Sequence, residues 1–353
     1  MGLPNINIAF STAAVSAIKL SAKGIVAIII KDAAAAGGHV LTDATQIPVT
    51  LGVENKAYIA RAFTGYVNTP RKVIVFVEGT AETDLTEGLA FMALQKFDYL
   101  VGPPDCTADE AAAIASWTES QRTNNLIFKA VLPNLAADSE GIVNFTSDEN
   151  KIGDVTYTAA QYCSRIAGLI AGTPMTISCT YATLPELTDV KRMTNTDMDA
   201  AIDAGKFILL YDGEKVKTGR GVNSLQTTTA DKGDAYKKIK IVEAIDMMQS
   251  DIRMTMQDSY IGKYSNSYDH KCLLITALKG YFAQVAIAGI IKSDYTVDIN
   301  IDKQKAYLTS VGIDVTKLTD QEIREADTGT HVFLVSTVHI LDAIEDIDLA
   351  VNI

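Results

Sequence analysis

From Gly24 to Ile30 the chain runs G-I-V-A-I-I-I, an unbroken apolar, β-branched stretch that predicts a strand buried on both faces. An Ala/Gly-rich connection over Ala33 to Gly38 follows, and Tyr58 to Phe63 and Lys72 to Val77 read as further short strands. Helical spacing is sparse between residues 31 and 80, so a small β-rich domain is expected there. After Gly79 the pattern changes. Leu85 to Phe97 and Ala108 to Arg122 carry helical apolar spacing, whereas Leu126 to Leu132 and Phe207 to Tyr211 read as strands. Alternation of strand and helix predicts an α/β layer domain. Thr158 to Ala171 predicts another helix, and Asp197 to Ala204 a short one closed by Gly205.

The longest amphipathic pattern is Asp234 to Asp258, where Tyr236, Ile239, Val242, Ile245, Met248, Ile252 and Met256 recur every three or four residues. This helix is expected to open a third domain, with Lys271 to Ile291 as its central partner and a strand within His331 to Leu341. Both chain ends alternate with period two. Ile6, Ile8 and Phe10 alternate with Asn5, Asn7 and Ala9, and Ile347, Leu349, Val351 and Ile353 with Asp346, Asp348, Ala350 and Asn352. Apolar alternation at a terminus requires a sheet to receive it. That sheet is either the subunit's own or a neighbour's, joined by β-augmentation.

Composition then narrows the classes. With 353 residues the chain exceeds a single core, and 48% hydrophobic with 21% charged residues describes a folded protein. A net charge of −12 repels phosphate backbones, which argues against nucleic-acid binding. Cys106, Cys163, Cys179 and Cys272 are scattered without metal-ligand spacing, so free structural thiols are expected and no metal or cofactor. Pro4, Asn5 and Asn7 interrupt any leader-like start. Lys271 to Ile291 approaches membrane-spanning length, but Lys279, Gly280 and Gln284 near its middle favour a buried core helix over membrane insertion.

The candidate chemistry is thin. His39, His270, His331 and His339 are the histidines; the last two lie far from the α/β segment, so no hydrolytic triad and no catalytic residue is expected there. Gly219, Arg220 and Gly221 match no phosphate loop and read as a tight turn between strands Val216 to Thr218 and Val222 to Leu225, with Arg220 free to make an ion pair to another subunit. Asp342, Glu345, Asp346 and Asp348 lack calcium-loop spacing and suit a role in steering the C-terminal strand. Lys237, Lys238 and Lys240, with Lys303 and Lys305, read as solvent faces of helices.

Three segments carry a resemblance. GLPNINIAF with GIVAIII at the start, KTGRGVNSL from Lys217 to Leu225, and TGTHVFLVSTVHILDAIEDIDLAVNI from Thr328 onward are similar to the contractile tail-sheath family, especially its short members from Gram-positive prophages and R-type bacteriocins. The resemblance implies an α/β, α+β multidomain protein. Its parts would be an N-terminal exchange arm (1–20), a small β-rich outer domain (21–88), a subtilisin-like α/β middle domain (89–230), an α+β inner domain (231–341) and a C-terminal exchange arm (342–353). It also implies a helical homo-oligomer of stacked six-membered rings around a tail tube protein, with baseplate and tail terminator proteins as further partners. Assembly would take place in the bacterial cytoplasm, with release in a phage tail or bacteriocin particle. The terminal strands would then cross to neighbouring subunits, Arg220 would bridge subunits, and the five lysines would be candidate tube contacts. A degenerate α/β hydrolase and another self-assembling filament or surface-layer protein are the rival classes.

Overall fold

The computed structural model describes residues 18, 23–82 and 84–352. The described residues form two compact units, a central one within 23–247 and 342–352 and a second one within 248–341.

The central unit is built on a sheet of β1 (Ile25–Lys31), β2 (Gly37–Leu41), β3 (Lys72–Glu78), β4 (Tyr99–Val101), β5 (Lys129–Pro133) and β6 (Ile142–Phe145). β7 (Asn150–Ile152) and β8 (Val155–Tyr157) form a hairpin, and β9 (Lys206–Phe207) closes the sheet in the order β2-β3-β1-β4-β5-β6-β9. All pairings are parallel except β2 with β3. The helices are α1 (Val53–Ala62), α2 (Thr86–Met92), α3 (Ala108–Thr123), α4 (Ala159–Ala171) and α5 (Asn195–Asp203). Strand alternation sorts the core into two layers. Val26, Ile28 and Ile30 join Val73, Val75, Val131 and Phe145 under α1 and α4. Ile25, Ala27 and Ile29 join Ile74, Leu100, Ala130 and Ile142 under α2 and α3. A strand paired on both edges and covered on both faces has no polar side, which is why its sequence is continuously apolar.

Three expectations are overturned here. β1 pairs with β3 over Ile25–Lys31 and with β4 over Val26–Ile28, so residues 21–88 are not a separate β-rich domain; their strands are the middle of the same sheet. Tyr58 to Phe63 is the end of helix α1, not a strand: Tyr58, Ile59 and Ala62 face the sheet at i, i+1 and i+4, a spacing too short to separate from alternation by eye. His39 lies on edge strand β2 of this sheet, so the α/β unit does contain a histidine; its Nε2 hydrogen-bonds with the Ala35 carbonyl 2.7 Å away, a contact local to the β1–β2 connection.

β10 (Leu209–Tyr211) and β11 (Val216–Thr218) form a second hairpin, and α6 (Ile239–Thr255) begins in the central unit and continues into the second. Its first half buries Ile239, Val242 and Ala244, and the central unit runs on to residue 247. The polar residues of that half are buried too. Lys23 pairs with Glu243, and the Tyr99 hydroxyl donates to Glu243 Oε1 at 2.7 Å. Arg122 grips both Asp246 oxygens at 3.0 and 3.1 Å, with Lys129 Nζ at 3.2 Å. Burial first, then the Glu243 charge, holds the Tyr99 phenol far above its ordinary pKa, as a neutral donor. Lys23, Tyr99 and Lys129 sit at the amino ends of β1, β4 and β5 and Arg122 in the last turn of α3, and together they fix the start of α6.

The second unit contains α7 (Tyr268–Ile287), β12 (Thr296–Ile299), α8 (Ile301–Ser310), α9 (Asp320–Glu325) and β13 (Leu334–Thr337). The Tyr281 hydroxyl on α7 donates to Asp251 of α6 at 2.8 Å. α7 buries one face, through Ala277, Leu278, Tyr281, Phe282 and Val285, and leaves Ile287 87% exposed, so it is half covered rather than a fully buried core helix. Among the described residues no helix is long and apolar enough to cross a membrane, and no cluster of His, Cys, Asp or Glu could hold a metal ion. β12 and β13 form a two-stranded antiparallel sheet.

Candidate functional site

The site forms where residues 342–346 meet the central unit. Helix α5 ends at Asp203, and Gly205 at φ +69° makes the left-handed turn that the sequence predicts, leading into β9. The chain then passes through the β10–β11 hairpin to Gly219, Arg220 and Gly221. These glycines are not a turn of positive φ. A Cβ on Gly219 would stand 2.9 Å from Ile208 Cγ1, and one on Gly221 2.9 Å from Cys179 Sγ and 3.1 Å from Ser178 Oγ, so close packing excludes a side chain at both. Nor is Val222 to Leu225 a strand. Its donors go to separate elements: Asn223 N to Lys237 O, Ser224 N to Ile142 O and Leu225 N to the Asn223 side chain. Asn223 and Ser224 are buried and tie the loop at Ser139 to the residues that precede α6, so the polar letters of this segment are internal connectors.

That scaffold presents Ser178, Thr180, Arg220 and Lys238 to the acidic segment. Glu345, with only 6% of its side chain exposed, accepts from Thr180 Oγ1 at 2.5 Å and Ser178 Oγ at 3.2 Å. Its other oxygen receives no well-aligned hydrogen bond but lies 3.4 Å from Lys238 Nζ and 3.9 Å from Arg220 Nε, so two cations meet the buried charge. Arg220 also pairs with Asp346, and Lys238 with Asp342. The hydrogen bond to Asp346 holds the Arg220 guanidinium above its ordinary pKa. Burial pulls the Lys238 ammonium down, but Asp342 and Glu345 outweigh it and leave it raised. Thr180 Oγ1 in turn accepts from Gly221 N at 2.9 Å. An alanine at Gly221 should therefore crowd the cradle and destabilise the protein by about 1 to 3 kcal/mol, read as a lower melting temperature. An unchanged melt for Gly221→Ala would refute the packing account.

The expected site residues fare differently. Arg220 pairs within its own chain. Ile347, Leu349 and Val351 form no strand among the described residues and are 81%, 78% and 72% exposed. Ile6, Ile8, Phe10 and Ile353 lie outside the described residues. The three clustered lysines do not share a solvent face, because the helix starts at Ile239 rather than Asp234. Lys237 pairs with Asp234 at 2.9 Å in a short 3-10 turn, Lys238 faces the acidic segment, and Lys240 is buried, which lowers its pKa. On α8 of the second unit Lys303 is exposed and Lys305 lies 3.1 Å from Asp320. Cys163 and Cys179 are buried and Cys106 and Cys272 half-buried, all as free thiols. Ser178 and Thr180 were not foreseen, since isolated hydroxyls between periodic segments carry no sequence signal.

The central unit is thus an α/β sheet on which residues 342–346 are held, followed by the exposed side chains of Ile347, Leu349 and Val351. Residues 78–224 match the phage tail sheath protein central domain, and residues 231–353 the phage tail sheath C-terminal domain. The chain belongs to the phage tail sheath family. It is 39% identical over 360 residues to the tail sheath protein of Clostridium phage phiCD119, covering 99% of each chain. Its fold is similar to the crystal structure of a sheath tail protein from Desulfitobacterium hafniense (TM-score 0.70, 17% identity, 84% of this chain and 94% of that one). It is similar also to the sheath of an extracellular contractile injection system in its contracted state (TM-score 0.67, 10% identity, 100% of this chain and 98% of that one). The family is structural rather than enzymatic.

Proposed function

We propose that this sheath subunit polymerises helically, in stacked six-membered rings, around an inner tube, and that its terminal arms add to the sheets of neighbouring subunits. The observation that carries this reading is the tip of the C-terminal arm. Ile347, Leu349 and Val351 alternate along the sequence and are 72% to 81% exposed, apolar side chains that need a partner. The two-stranded sheet of β12 and β13 has unpaired outer edges among the described residues and is the proposed acceptor in a neighbour. Contraction is then rigid-body movement of subunits between two packings, driven by new burial and charge pairing, with the arms preserving connectivity. Lys303, Lys305 and Lys237 remain the candidates for tube docking, since Lys238 is engaged by the arm and Lys240 is buried. Baseplate and terminator proteins are the proposed partners at the ends, and a phage tail or bacteriocin particle assembled in the cytoplasm the proposed setting. Electron microscopy of the purified protein tests the reading. Hollow, striated cylinders are expected, and a protein that stays monomeric or forms solid filaments or flat sheets would refute it.

A further inference from the structure

We propose that the C-terminal arm is divided at Asp346: residues 342–346 stay docked on the subunit that carries them, and only the tip from Ile347 onward crosses to a neighbour. The inference rests on the arm-exchange reading above and deepens it. Along 341–346 exposure alternates from one residue to the next, the pattern of a chain whose alternate side chains share a face. Ala343 and Glu345 turn toward the central unit, whereas Ile344 is 87% exposed, as that alternation requires. Continued along the same surface, it would bury Ile347 beside Glu345. Instead Ile347 is 81% exposed, and every described residue after Asp346 is exposed as well. The chain leaves the surface at Asp346, and that break marks the hinge.

Docking begins at Asp342, which is already paired with Lys238 of the same unit. Glu345 is thus the positioning residue of the arm: a buried carboxylate met by two hydroxyls and two cations, which fixes where the tip begins. The consequence is a limit on reach. At about 3.3 to 3.6 Å per residue, Ile353 lies at most about 24 Å from Asp346, against about 40 Å if the segment were free from Asp342. An edge that receives the alternating side chains of Ile347, Leu349, Val351 and Ile353 must therefore lie within about 24 Å of the docked Asp346.

The test uses full-length protein. Isotope-labelled and unlabelled subunits are mixed in equal amounts and assembled into sheaths, then treated with a carbodiimide, which joins Lys238 to a touching carboxylate without a spacer. Peptides joining Lys238 to Asp342 or Glu345 should be isotopically uniform, in the free monomer and in the sheath alike. Mixed labelled and unlabelled pairs near the statistical half would show that residues 342–346 also exchange, and would overturn the proposal. Absence of the pair from either sample would overturn it too, because the segment would not be docked. Failure of arm exchange itself shows elsewhere, as cylinders formed by a chain ending at Asp346. Uniform peptides would then still place Glu345 on its own subunit.

Discussion

A chain ending at Asp346 is expected to remain a soluble, cooperatively melting monomer that forms no cylinders. Ile347, Leu349 and Val351 are 81%, 78% and 72% exposed, so removing them from the free subunit takes away almost no burial. The change in its stability should be within about 0.5 kcal/mol, a shift in melting temperature of about 2 °C or less. In the polymer the balance differs. Each of these side chains, fully buried on a neighbour's sheet, would contribute about 1.5 to 3 kcal/mol before the cost of ordering the strand. Repeated at every subunit of a ring, that loss is enough to prevent assembly. Ending the chain at Leu341 instead should do more harm, because it leaves Arg220 and Lys238 without Glu345. Sheaths of normal length from the chain ending at Asp346 would defeat the exchange reading, and an unfolded product would show that the tip belongs to its own subunit's core.

The largest single-residue effect on folding should come from Asp246→Ala on α6. Asp246 is 4% exposed and accepts from Arg122 and Lys129, whose side chains are 14% and 8% exposed. Removing it leaves Arg122 with Glu140, which Lys232 also engages, and Lys129 with the face of the Tyr99 ring. Breaking a buried pair by deleting one partner costs about 3 to 5 kcal/mol, so melting should fall by about 10 °C. Asp246→Asn keeps one acceptor oxygen and should fall between wild type and alanine. Replacing Asp246, Arg122 and Lys129 together by apolar residues of similar volume should recover much of the loss, since no charge is then stranded. Calorimetry of the four proteins decides it. An alanine variant that melts like wild type would mean that the first half of α6 is not held in the central unit by this network.

Both effects depend on residues that the sequence presents in different degrees of clarity. The apolar run that became β1, the helices α3 and α4, the left-handed turn at Gly205 and the period-two pattern of the C-terminal arm were all legible, because each is a local repeat or a local backbone requirement. The family resemblance was legible at Lys217 to Leu225, but the role of that segment was not. Its glycines and polar residues are dictated by what lies against them, Ile208, Cys179, Ser139 and Tyr236, all remote in sequence or reached only by a turn of the chain.

The extent of the central sheet was not legible for the same reason. Strand pairing joined residues 25–31 to 72–78 and to 99–101, and so merged two expected domains into one sheet; charge burial moved the start of α6 into it. The sequence by itself determined the strand and helix periods and the apolar alternation of residues 347–353, since hydrophobic periodicity is written one residue after another. Only the tertiary structure decided that Glu345 is held by Ser178, Thr180, Arg220 and Lys238, because a buried carboxylate takes its partners from wherever the fold brings donors together, and that choice leaves no local trace in the chain.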